Sequence, residues 1–132
     1  MARSATLNCM IKAAEKAARN LKRDFGEVEN LQVSKKGPGD FVSVADKKAE
    51  EIIMEELTKA RPDFAFFGEE GGCKGDQSAE SRWIVDPLDG TTNFLHGIPH
   101  WAISIAWELK GEIQAGVVYD PIKDEMFFGE KG

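Results

Sequence analysis

The chain has 132 residues, with 23 acidic and 17 basic side chains and a net charge of −6. This is the length of one ordinary domain, and the acidic balance argues against generic nucleic-acid binding, which requires a basic face that neutralises phosphates. Cys9 and Cys73 form no CxxC pair, and neither a membrane-spanning stretch nor a signal peptide is visible. The sequence therefore predicts a cytoplasmic protein with reduced thiols and no membrane association.

The first half of the chain predicts two amphipathic helices. Apolar residues recur at helical spacing over 7–25, which predicts a first helix that ends near Gly26. Residues 35–40 read Lys-Lys-Gly-Pro-Gly-Asp and are predicted as a loop, because Gly-Pro-Gly favours neither helix nor strand. A second helix is predicted over about 44–60, with the Arg-Pro pair at 61–62 as its stop.

The second half predicts strands separated by turns. Apolar runs and a period of two predict strands over 64–67, 82–85, 101–109, 113–119 and 126–128. Two helices followed by a strand meander indicate an α+β fold in which the two helices pack on an antiparallel sheet.

The most informative run is Trp83-Ile-Val-Asp-Pro-Leu-Asp89. Aspartates are poor strand residues, so two of them at the end of an apolar strand need a reason. Pro87 favours an extended Asp86 and a turn after it, which would bring Asp86, Asp89 and the Leu88 carbonyl around one point. Mg²⁺ prefers such oxygen ligands. The alternative is a turn with solvated aspartates.

Further candidate residues surround this run. Gly90 and Thr91 would open a turn or helix whose free N–H groups suit a phosphate, although Thr91 could be an ordinary helix cap. Glu69 and Glu70 follow a predicted strand and would share a metal site, or form a solvated surface. Asp46 lies near the start of the second predicted helix, where an acid also suits the helix dipole.

With these residues in place, Asp86-Pro-Leu-Asp-Gly-Thr91 and Gly68-Glu-Glu70 resemble the inositol monophosphatase family. The chain is similar to the N-terminal half of a bacterial inositol-1-monophosphatase or extragenic suppressor. The resemblance implies that residues 1–132 are the N-terminal portion of one layered α-β-α-β-α phosphatase unit. It also implies Mg²⁺ dependence with two to three ions, lithium inhibition and a homodimer.

The resemblance also implies a ligand set for those ions. Glu69, Asp86 and the Leu88 carbonyl would hold the first ion. Asp86 and Asp89 would share the second, and Glu69 would help to hold a third. Leu88 and Asp89 would also lie in the substrate site.

The remaining roles that the resemblance implies concern water and phosphate. Asp46 and Thr91 would orient the attacking water, with Glu70 in support. The N–H groups of Gly90 and Thr91 would bind phosphate, and Lys35 would be a basic residue near the active-site loop.

The implied reaction is direct hydrolysis of a phosphate monoester on a small polyol, inositol monophosphate first, by metal-activated water without a phosphoenzyme. Alternatives are fructose 1,6-bisphosphate, histidinol phosphate and 3′-phosphonucleotides as substrates. An alternative enzyme class is a haloacid-dehalogenase-type hydrolase, in which an aspartate is the nucleophile. A different class of role is that of a transcription-antitermination or RNA-processing partner of RNA polymerase.

The resemblance covers only part of a family member. The second half of such proteins carries a Trp-Asp-x-Ala-Ala-Gly motif whose aspartate completes the second metal site, and no such motif occurs in this sequence. We therefore expect that residues 1–132 alone are inactive and require a complementary C-terminal half.

Overall fold

The structure, a computed structural model, describes residues 3–31, 38–69 and 72–132. Six strands form one sheet in the order β2-β1-β3-β4-β5-β6. The predicted α+β class is confirmed, because the two long helices pack on this sheet. The elements in chain order are α1 (Ala5–Leu31), α2 (Pro38–Ala60), β1 (Ala65–Gly68), β2 (Gly72–Lys74), β3 (Ser81–Asp89), α3 (Thr91–Leu95), β4 (Ala102–Leu109), β5 (Glu112–Asp120) and β6 (Glu125–Glu130).

Both long helices extend further than the sequence predicts. α1 continues through Gly26, where the prediction of a stop is wrong, because Val28 lies two turns after Leu21 and both are buried on one face. That burial offsets the cost of about 1 kcal/mol of a glycine inside a helix. α2 begins at Pro38, within the predicted loop, since proline is well suited to the first helical turn. Neither helix is apolar enough over a sufficient length to cross a bilayer.

The strand pairing differs from the predicted antiparallel sheet at one place. β1 and β3 are parallel, with Ala65 beside Arg82 and Gly68 beside Val85. The reason is the order of the strands. β2 pairs antiparallel with β1 on the edge away from β3. The chain therefore runs through β3 in the same direction as through β1. The remaining pairs described here, β3–β4, β4–β5 and β5–β6, are antiparallel as predicted.

The two faces of the sheet have different environments. The inner face packs on α1 and α2 and contributes Trp83, Val85 and Ile105 to the core that it forms with these helices. Because side chains alternate along a strand, the residues between these lie on the opposite face, which we call the outer face. It includes Asp86 and the exposed apolar side chains of Phe67, Val118 and Phe127.

Candidate functional site

A β-bulge at the carboxyl end of β3 places two carboxylates on the same face. Asp86 lies opposite Ser104, whereas Asp89 lies opposite Ala102, so β3 contains one residue more than β4 over this interval. In a regular strand, residues three apart point to opposite faces. The extra residue in the bulge reverses the direction of Asp89, so that both carboxylates lie on the outer face. Pro87 is compatible with this position because it has no N–H to donate to the ladder.

The parallel pairing of β1 and β3 brings a third carboxylate to the same place. Gly68 is the register partner of Val85, so the next residues along the two strands, Glu69 and Asp86, are neighbours. Their side chains share a hydrogen bond. Parallel strands deliver the residues at their carboxyl ends to one edge of the sheet, which explains how Glu69 reaches a residue that is distant in sequence.

The environment of Asp86 disfavours its charged form. Burial, the hydrogen bond to Glu69 and the charges of Glu69 and Asp89 raise the pKa of Asp86 to about 6. The Leu88 N–H donates to Asp86 Oδ1 at 3.3 Å, and this hydrogen bond lowers the pKa of Asp86. The site therefore holds more negative charge than its own donors compensate, which is a property of sites that bind cations.

This raised pKa predicts a pH-dependent stability of the metal-free protein. A carboxyl whose pKa is higher in the folded state than its ordinary 3.8 stabilises the fold below that value and loses this contribution as pH rises through about 6. We therefore expect that Asp86→Asn raises the melting temperature relative to wild type more at pH 7 than at pH 4.5, in the presence of a chelator. Thermal melts followed by circular dichroism measure this, and a difference that does not vary with pH would contradict it.

The Gly90–Thr91 step begins the short helix α3 beside the carboxylates. Gly90 has a left-handed backbone with φ of 96°, and a methyl group added to it would lie 3.0 Å from the His100 carbonyl oxygen and 3.1 Å from Trp101 Cα. Only glycine fits there without strain. Thr91 Oγ1 donates to the Leu88 carbonyl oxygen at 3.2 Å. The first N–H groups of α3 have no acceptor within the helix.

Aromatic packing holds α3 in position. Phe94 is fully buried and meets the ring of Trp101 edge-on, with centroids 4.9 Å apart. Phe25 of α1 contacts both rings, at 5.4 Å and 5.5 Å. Phe25, in the C-terminal half of α1, thus supports the helix that carries Thr91.

Two acidic side chains of α2 are buried near this region. Asp46, which the sequence analysis selects, is 5% exposed, and α2 contacts α3 directly. Glu50 lies one helical turn later and is 4% exposed. Glu50 is not among the candidate residues that the sequence motifs indicate. The sequence signal for its burial was its position four residues after Asp46, on the same face of the helix. Ala49 and Ile53 beside it are also buried.

A cleft of about 380 Å³ opens beside the carboxylates. It is wide enough for a small ligand and begins at Asp89 and Gly90, where the sequence predicts substrate and phosphate binding. Asn93 at its wall donates from Nδ2 to the His100 carbonyl oxygen at 2.8 Å. The other lining residues are Trp101, Ala102, Val118, Asp120 and Phe127.

The site as described is incomplete as a metal centre. Oxygen donors of the type that Mg²⁺ prefers are present in Glu69, Asp86 and Asp89. However, no group of three or more His, Cys, Asp or Glu side chains has metal-holding spacing within residues 3–31, 38–69 and 72–132. Glu70 and Lys35, which the sequence analysis also selects, lie outside the described residues.

Comparison with known proteins gives a consistent set of relatives. The family model described as the inositol monophosphatase family matches residues 2–132. The inositol-1-monophosphatase of Mesorhizobium japonicum is 63% identical over 132 residues, which are 100% of this chain and 50% of that protein. The Nus factor SuhB of Vibrio cholerae is 41% identical over 126 residues, 96% of this chain and 47% of that protein.

The solved structures agree with the sequence relatives. The crystal structure of the extragenic suppressor protein suhB from Bartonella henselae matches with a TM-score of 0.86 and 60% identity, over 98% of this chain and 50% of that chain. The chain thus spans about half the length of the curated relatives it matches.

Proposed function

Because the chain belongs to the inositol monophosphatase family, we propose that the full-length protein hydrolyses phosphate monoesters in a Mg²⁺-dependent reaction. Inositol monophosphate is the leading substrate, since two relatives that are 63% and 64% identical to this chain are named inositol-1-monophosphatases. Fructose 1,6-bisphosphate, histidinol phosphate and 3′-phosphonucleotides remain alternative substrates of the same site.

The observation that carries this proposal is that Asp86 interacts with both Glu69 and Asp89 at the carboxyl ends of β1 and β3. Burial first, and then the hydrogen bond to Glu69 and the charges of Glu69 and Asp89, raise the pKa of Asp86; a divalent cation would relieve the repulsion among the carboxylates. All three supply hard oxygen donors, which suits Mg²⁺ better than zinc or copper. Glu69, Asp86 and the Leu88 carbonyl would hold one ion, and Asp86 with Asp89 would hold another.

The remaining residues would place the substrate and the attacking water. Bound Mg²⁺ supplies an activated nucleophile and stabilises charge on the leaving oxygen. Gly90 lines the cleft, and the N–H groups of Gly90 and Thr91 at the start of α3 would bind the phosphate. The Thr91 hydroxyl and Asp46 would orient the attacking water, with Glu70 in support and Lys35 as a basic residue near the phosphate.

A panel of phosphate monoesters tests the proposal. We expect the full-length protein to release phosphate from inositol monophosphate with Mg²⁺ present, and to lose this activity with a chelator or with Li⁺. Phosphate release measured across the four substrate classes decides between them. Equal turnover with and without Mg²⁺ would contradict the metal-dependent mechanism, and faster turnover of another substrate would replace inositol monophosphate.

The uncovered outer face supports a complementary C-terminal half. Phe127 is 60% exposed there, and Phe67 and Val118 are exposed as well. Such apolar side chains beside a candidate active site are typical of a surface that other structure covers. We propose that the second half of the full-length protein packs on this face and completes the metal site.

A second candidate function is a role in transcription. It is favoured by the 41% identity to the Nus factor SuhB of Vibrio cholerae. In this role the protein would bind RNA polymerase independently of catalysis. Co-purification of polymerase with wild type but not with a variant that lacks Mg²⁺ binding would contradict that independence.

A further inference from the structure

Glu50 is a buried carboxylate for which the proposed reaction has no use. It lies on α2 with 4% of its surface exposed, one turn after Asp46. Burying an ionisable side chain is costly, so the groups that the Glu50 carboxylate contacts bear on its role.

The carboxylate of Glu50 lies against the main chain at the end of β1. A methyl group added to Gly68 would overlap Oε1 of Glu50 and lie 2.5 Å from its Cδ. Gly68 is therefore in direct contact with the carboxylate, and the contact requires a residue without Cβ. Gly68 immediately precedes Glu69, which hydrogen-bonds Asp86.

The end of β1 has little other support on the edge that faces away from β3. β1 has four residues, and its neighbour there, β2, has only three, all of them exposed. A strand end held by one good neighbour and a short exposed one moves easily. The contact of Gly68 with Glu50 on the helix side is therefore further support for the end of β1.

We propose that Glu50 is a positioning residue: its buried carboxylate holds the Gly68 main chain and thereby fixes the Glu69 carboxylate beside Asp86 for cation binding. This inference rests on the proposed Mg²⁺ site. Groups that orient a ligand without touching the metal change metal affinity by roughly 10- to 100-fold when they are replaced.

The test is Mg²⁺ binding by calorimetry in the full-length protein. We expect Glu50→Ala to weaken Mg²⁺ binding about tenfold and Glu50→Gln, which keeps the shape, to weaken it less. The matched control is Glu51→Ala, because Glu51 is adjacent on α2 but exposed; its Mg²⁺ affinity should equal that of wild type. The Mg²⁺ concentration for half-maximal rate should rise in Glu50→Ala, with kcat at saturating Mg²⁺ retained.

A double-mutant cycle separates positioning from a purely structural role. If Glu50 acts through Glu69, then Glu50→Ala costs less Mg²⁺ affinity in a Glu69→Asp background than in wild type. Equal losses in both backgrounds, or a lower melting temperature with unchanged Mg²⁺ affinity, would overturn the inference. If Glu50→Ala does not fold, Glu50→Gln replaces it in the same cycle. A wild-type protein that binds no Mg²⁺ would overturn the proposed metal site itself.

Discussion

Replacing Asp86 with asparagine is expected to abolish Mg²⁺-dependent phosphate release while the protein remains folded. Asp86 contributes to both of the ion positions proposed from this site, so its loss weakens the binding of both ions. Metal ions stabilise charge in such transition states by several kcal/mol, which corresponds to a loss of about 10³-fold in rate. Phosphate release and Mg²⁺ calorimetry on the full-length protein measure the two effects.

The fold should tolerate this substitution for two reasons. The carbonyl of asparagine can still accept the hydrogen bond that the Leu88 N–H gives to Asp86 Oδ1. The substitution also removes a charge that is disfavoured by burial and by repulsion from Glu69 and Asp89, the causes that raise the Asp86 pKa. A melting temperature at pH 7 equal to or above that of wild type is the control, and unchanged Mg²⁺-dependent turnover would contradict the assignment. Retained RNA polymerase binding would show that such binding is independent of chemistry.

Residues 1–132 expressed alone are expected to show no measurable phosphatase activity. Within the described residues, no three His, Cys, Asp or Glu side chains have the spacing of a metal site. The outer face also exposes the apolar side chains of Phe127 and Val118. Co-expression with the C-terminal half of the Mesorhizobium japonicum relative should restore activity, because that relative is 63% identical over this chain. Phosphate release from the purified pair measures the recovery.

Two controls make this experiment decisive. The relative's C-terminal half alone should be inactive, and the pair that contains Asp86→Asn should be inactive as well. Turnover by residues 1–132 alone at the rate of the pair would show that this half of the site suffices and that no complementary half is needed.

Local sequence patterns determined the elements of this protein. The apolar periodicity predicted both helices and the β3–β6 strands, because burial on one side of a helix or strand leaves its period in the sequence. The helix ends were less well predicted. α1 passes Gly26 because the burial of Val28 outweighs glycine's helix cost, and α2 starts at Pro38.

The Asp86–Asp89 run also identified the candidate site, because its residue types are rare at a strand end and suit a hard cation. What the run could not give was geometry. Residues three apart in a regular strand face opposite ways, and only the bulge against β4 brings Asp86 and Asp89 to one face. A bulge is a property of two paired strands, so one strand's sequence does not specify it.

Tertiary structure decided the partners of these carboxylates. The parallel pairing of β1 with β3 places Glu69 beside Asp86, although the sequence predicted antiparallel pairs. Glu50 became visible only through its contact with Gly68, a residue of another element. The sequence determined which groups are present, because residue type sets chemistry and local period. The distances between them depend on contacts between segments far apart in the chain, which the fold alone establishes.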